Sequence, residues 1–135
     1  MDPLSVSVAC VGLLASIGKL STQVETFITQ VRDARKDMDA VKGELESLHM
    51  SLGKLHDDNT TTRYPESHRR TLVNILRNCD DVTDVMRDLL RKMSSGNLFH
   101  RVQWFRSGRD EMNGLRSRLE AHKTAIIIHL NVVSM

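Results

Sequence analysis

Apolar positions along this 135-residue chain recur in alternating steps of three and four, the spacing that lines them up on one face of an α-helix. A first stripe runs Cys10, Leu13, Ile17, Leu20, Val24, Phe27, Val31, and a second runs Ala34, Met38, Val41, Leu45, Leu48, Leu52, Leu55. The third is Leu72, Ile75, Cys79, Val82, Met86, Leu89, Met93, and the last is Met112, Leu115, Leu119, His122, Ile126, Leu130, Val133. Between the second and third lies "DDNTTTRYPE", a polar, β-branched, Pro-containing run that reads as a loop. The third ends at "SSGN", where Gly96 suits the left-handed conformation past a helix end. Gly108 reads as a break ahead of the last stripe. The join between the first two stripes, "QVRDARKDM", contains neither Gly nor Pro, and the turn is placed near Asp33, which can cap the second helix.

The pattern predicts long helices over 3–31, 34–56, 66–93 and 109–133 and a short helix over about 97–105, all within one domain, 1–135. Rods of this length bury their apolar sides best against one another. The fold class is therefore all-α, and the expected architecture is an antiparallel four-helix bundle with a short connecting helix between the third and fourth long helices.

The opening stretch, "DPLSVSVACVGLLASIGKL", carries no charge between Asp2 and Lys19. A secretory signal wants a positive leading segment, and the only charge ahead of the apolar run is Asp2. The sixteen uncharged residues cover about 24 Å as a helix, short of the roughly 30 Å hydrocarbon core of a bilayer, and serines and glycines dilute them. The apolar stripe crosses Lys19 without losing phase, so the stretch reads as the first half of one amphipathic helix, with Asp2 as its N-cap and Pro3 at the first helical position.

Composition changes this picture little. Five aromatics and two prolines in the whole chain suit helices better than sheets. Cys10 and Cys79 both lie on apolar stripes, which favours buried reduced thiols in an intracellular protein.

A search for chemistry yields no enzyme. His49/His56 and His122/His129 are seven residues apart, about 10.5 Å along a helix axis, too far to share one metal ion. No metalloprotease HExxH, phosphate-binding glycine loop or GxSxG is present, and no cofactor or metal is expected. Acid pairs such as Asp80/Asp81 and Glu44/Glu46 sit beside basic residues and read as solvated helix faces.

One segment stands out. Between Arg87 and Arg109 the chain holds six cations (Arg87, Arg91, Lys92, Arg101, Arg106, Arg109) against one acid, Asp88, whereas the whole chain nets only +2. Phe99, Trp104 and Phe105 fall in the same segment, and aromatics interleaved with cations favour an interface with anionic lipid headgroups. The same ingredients suit nucleic acid, but without a recognisable binding motif no nucleic-acid partner is expected. A plainer alternative is that Leu98, Val102 and Phe105 close one end of the bundle and the arginines are merely solvated.

The opening "MDPLSVSVACVGLLASIGKL", the "VRDA" that follows, the single Trp104 and the closing "RLEAHKTAIIIHL" together resemble the fungal N-terminal domain of STAND proteins, the fungal NLR-like receptors. This is a HeLo-like cell-death module, also named after the N-terminus of an azaphilone pigment-cluster protein. The chain carries Arg35 where that family commonly has Pro after "RDA", and His129 interrupts a closing strip that is usually more plainly apolar. The resemblance implies a bundle that acts as the effector head of a larger receptor. A nucleotide-binding oligomerisation domain or an amyloid-type signalling motif would follow it in the full-length protein. It further implies cell-death induction by self-association and membrane permeabilisation, with relocation from cytoplasm to plasma membrane. The residues matching the membrane-entering helix are Leu4, Val6, Val8, Val11, Leu13, Leu14 and Ile17, and those at the lipid-headgroup interface are Arg87, Arg91, Lys92, Arg101, Trp104, Phe105, Arg106 and Arg109. The alternative is a soluble homotypic module that recruits partners without touching lipid.

Overall fold

A computed structural model describes residues 5–57, 65–94 and 98–134, leaving aside the side chains of 57, 98, 100, 101, 130 and 132–134. The described residues are almost all helical and include no strand. The expected start at Asp2 and Pro3, the loop tip over 58–64 and the stop at Gly96 lie outside them.

Helix α1 spans Val6–Gln30 and begins at Ser5, whose extended backbone and hydroxyl oxygen, accepting from the Val8 N–H at 3.1 Å, make it the N-cap. A single 3-10 turn, Arg32–Ala34, then leads into the next helix, with Val31 and Ala34 buried. Helix α2 spans Arg35–Asp57 and α3 spans Glu66–Met93.

The last part of the chain departs from expectation. A short helix α4, Leu98–Gln103, does not stop before the final helix but runs into a π turn, Trp104–Gly108, and directly on into α5, Arg109–Ser134. Gly108 is not a break; it is a point of close approach. A Cβ at this position would lie 2.9 Å from Trp104 Cε3 and 3.3 Å from Met93 Cε. The wider π turn fits the bulk of the indole against that bare Cα while the helical ladder continues.

Helix α1 packs against both α2 and α3, and α5 packs against the same two helices from the other side. The core takes in every position of the first two apolar stripes, from Cys10 to Val31 and from Ala34 to Leu55. Trp104 is completely buried, its ring centroid 4.9 Å from that of Phe27 at an interplanar angle of 60°. Polar groups enter the interior in few places. Lys123 of α5 donates to Ser47 Oγ at 3.1 Å and pairs with the nearly buried Glu44 carboxylate of α2, also at 3.1 Å. Gln23 of α1 donates to the Arg87 carbonyl of α3 at 2.9 Å.

Two expectations follow for stability, each read as a shift in urea midpoint. Gly108→Ala should destabilise by about 1–3 kcal/mol through the collision with Trp104, whereas Gly12→Ala, with nothing within 4 Å of the new methyl, should stabilise by up to about 1 kcal/mol through helix propensity. Lys123→Met strands the Glu44 carboxylate and should cost about 3 kcal/mol, most of it recovered in the double variant Glu44→Leu/Lys123→Met.

Candidate functional site

The uncharged first half of α1 divides into two sides. Val6, Cys10, Leu13 and Ile17 are buried and belong to the core. Opposite them, Ser7, Val8, Val11, Gly12, Ala15 and Gly18 are exposed. Val8 and Val11 are about half exposed, at 48% and 52%, so the outward side of this helix carries no charge until Lys19. By length and composition α1 can cross a membrane, and only 28% of its most apolar window is buried within the fold. The sixteen-residue count understates the helix, because its helical and largely uncharged character continues well beyond Lys19.

The seven residues matched to the membrane-entering helix therefore separate. Val8 and Val11 face out, Leu14 is half-buried against the core, Val6, Leu13 and Ile17 are buried, and Leu4 lies outside the described residues. Beside them a groove of about 620 Å³ runs between α1 and α2, with Leu14, Gly18, His49, Met50 and Gly53 in its walls. Met50 is 69% exposed there.

The basic segment is gathered at the end where α3 finishes and α5 begins. Arg91 pairs with Asp88, and Arg87 lies 3.9 Å from Asp84, so part of the positive charge on α3 is met within its own helix. Lys92, Arg106 and Phe105 are exposed, and the Arg109 guanidinium sits 5.8 Å from the Phe105 ring centre. The Arg101 side chain lies outside the described residues.

Trp104 corrects the sequence-based expectation of an interfacial indole. The π turn directs it into the core, where Phe27 and Gly108 receive it. The alternative in which Val102 and Phe105 close the bundle is corrected too, since both are exposed together with Phe99. The exposed aromatic pair beside the arginines is thus Phe99 and Phe105.

Sequence spacing gave no hint of one contact. His68 of α3 and His129 of α5, 61 positions apart, bring their Nδ1 atoms to 3.3 Å and their ring centres to 4.7 Å. Burial and the neighbouring His68 both hold the His129 imidazole below its ordinary pKa, burial being the larger cause. Burial likewise lowers the pKa of His122, helped by Arg118. Among the described residues no three His, Cys, Asp or Glu side chains converge as a metal site. Burial pushes the Cys79 thiol up to about 12, with Asp80 and Glu44 adding to the effect, so at neutral pH it is a protonated packing group.

Comparison with curated proteins and with solved structures finds no match. A family model does match, and it covers residues 1–135. With that match over the full length of the chain, it belongs to the family described as the N-terminal domain of the pigment biosynthesis cluster protein PigL.

Proposed function

We propose that this domain is a non-catalytic, membrane-acting effector head of the HeLo-like type, which self-associates and places α1 in an anionic bilayer. The observation that carries the reading is α1 itself: a helix apolar enough for a membrane whose apolar surface the fold only partly covers. A core helix of a soluble bundle normally shows water a charged face; here the outward side offers Val8, Val11, glycine, alanine and serine through three turns. Such a face suits lipid or other copies of itself, with its serines turned to a shared aqueous channel.

The architecture that fits this role is an antiparallel four-helix bundle. The pairs Ser7–His56 and Glu25–Lys42 imply that α1 and α2 run in opposite directions. His68–His129, and the shared cavity of Asn78 and Asp81 with Arg118 and His122, imply the same for α3 and α5. Gln23 on the Arg87 carbonyl implies that α1 and α3 run alongside each other. One end of the bundle then holds the start of α1, and the other holds the exposed Phe99, Phe105, Arg106 and Arg109. That second end would meet anionic headgroups first, each cation contributing up to about 1 kcal/mol. The first end would follow by releasing α1, whose glycines weaken it as a helix in water. In a full-length receptor this head would sit in the cytoplasm ahead of an oligomerising domain, move to the plasma membrane on activation and induce cell death.

A second reading has its own support. The α1–α2 groove, with Leu14 and the exposed Met50 in its walls, has the flexible apolar lining of a protein-docking site. On that reading the domain is a soluble homotypic module that recruits signalling partners.

Dye release from phosphatidylserine-containing vesicles separates the two. The folded domain, clustered by fusion to a trimeric coiled coil, should release dye, and Val8→Glu/Val11→Glu should abolish release while leaving the far-UV spectrum and urea midpoint nearly unchanged, because both side chains already face water. Arg106→Glu/Arg109→Glu should weaken vesicle binding at least tenfold. Undiminished release by the Val8/Val11 variant, or none by the clustered parent, would favour the soluble module.

A further inference from the structure

Of the described side chains between Phe99 and Gly108, Trp104 and Gly108 alone are buried. Phe99, Val102, Phe105, Arg106 and Ser107 are exposed, and Gln103 is half-buried. Among the described residues, then, one indole pins α4 and the π turn to the rest of the bundle. Packing holds that ring in place, with its centroid 4.9 Å from that of Phe27 and the bare Cα of Gly108 beneath it. One feature of its chemistry pulls the other way. The indole N–H is buried, and no acceptor among the described residues takes it. A buried donor left without a partner is destabilising where it sits, and it gains a hydrogen bond on reaching water or a lipid carbonyl.

The π turn offers the indole a way out that leaves the helix unbroken. At present the Arg109 N–H donates to the Trp104 carbonyl. If that N–H takes the Phe105 carbonyl instead, the turn closes to an ordinary α turn and no donor is lost. One residue fewer in the turn swings α4 by about 100° relative to α5 and carries Trp104 away from Phe27.

We propose that Trp104 is a latch: it holds α4 and the π turn against the bundle in water and lets go at an anionic bilayer surface. There the indole joins the exposed Phe99 and Phe105 among the arginines, at the depth where tryptophan is favoured, and its N–H finds an acceptor. The bilayer half of this proposal rests on the membrane reading above and adds to it. Release also uncovers Phe27, which is 1% exposed in the closed fold, so the later turns of α1 lose an aromatic partner. Contact at the basic end is thereby linked to a looser hold on the helix that the membrane reading requires to leave.

Opening is tested first in water. Trp104 is the only tryptophan of the chain, so its indole N–H gives a single resonance. In hydrogen exchange of the intact domain without lipid, corrected for intrinsic rates, this N–H should be at least about tenfold less protected than the backbone amides of residues 82–90 in α3. Deleting the exposed Ser107 removes the residue that the π turn holds in excess of an α turn, so Trp104 stays inward in an ordinary ladder and its protection should rise to that of the α3 amides. Gly108→Ala, whose methyl would lie 2.9 Å from the ring, should lower the protection below the parent's. An indole N–H as well protected in the parent as residues 82–90, or one that a folded Ser107 deletion protects no better, overturns the latch. Phosphatidylserine vesicles containing brominated phosphatidylcholine then read the bilayer step, since bromine quenches an indole that reaches the lipid. The bound parent should lose at least about half of its emission relative to unbrominated vesicles, and the bound Ser107 deletion should keep its own. Unquenched Trp104 in bound protein overturns release at the bilayer. Opening in water by a parent that does not bind the vesicles would remove the membrane reading and leave the opening itself standing.

Discussion

Covering the inner stripe of α1, from Val6 to Phe27, is what the packing of the other helices accomplishes. That helix lies against α2 on one side and α3 on the other, and α5 completes the enclosure by touching the same two. Each fully buried aliphatic side chain on the stripe contributes about 1.5–3 kcal/mol relative to exposure. The fold therefore depends strongly on a helix whose outer side is also nearly free of charge. A tightly held inner face and an uncharged outer face on one helix are compatible with two environments: the first is satisfied in the bundle, and the second gains only on leaving water.

The two ends of the molecule differ in chemistry for reasons that lie in its packing. At one end the π turn directs Trp104 inward onto Phe27 and the bare Cα of Gly108, which leaves Phe99, Val102 and Phe105 outside among arginines. The largest aromatic of the chain thereby packs in the core beside Phe27, while Phe99 and Phe105 are presented to solvent. At the other end, α3 and α5 meet through two imidazoles. The interior is mostly apolar, and its polar contacts between helices include the Glu44–Lys123–Ser47 contact and the Gln23 bond to the Arg87 carbonyl. Directional polar contacts of this kind fix how the helices slide past one another, because a stripe of leucines and valines alone tolerates slippage by a turn.

Much of this was legible in the chain. Helix boundaries for α2 and α3 fall within a residue of those expected from periodicity, since a stripe at steps of three and four has one low-energy use. The turn expected near Asp33 coincides with the 3-10 turn Arg32–Ala34, although neither Gly nor Pro marks it and the apolar steps pass from Val31 to Ala34 and Met38 without a change of phase. The final segment was misread for a local reason. Glycine ahead of a helical stripe ordinarily signals a break, and nothing in the residues around Gly108 shows that a Trp four positions earlier will need the space.

Periodicity, charge and spacing along the chain were enough to establish an all-helical fold, most of the core positions, with Val6, Val73, Leu76, Leu90 and Trp104 missed, and the presence of a basic aromatic segment, because each of these depends on neighbours within a few turns of the same helix. Which aromatic is buried, which pairs of helices touch and which histidines meet are different in kind. His68 and His129 are 61 residues apart, and Glu44 and Lys123 are also far apart along the chain. Contacts of that range come from how four rods settle against one another, an outcome set by side-chain shape at the interfaces and by a single π turn, neither of which leaves a mark in the order of hydrophobic and polar residues.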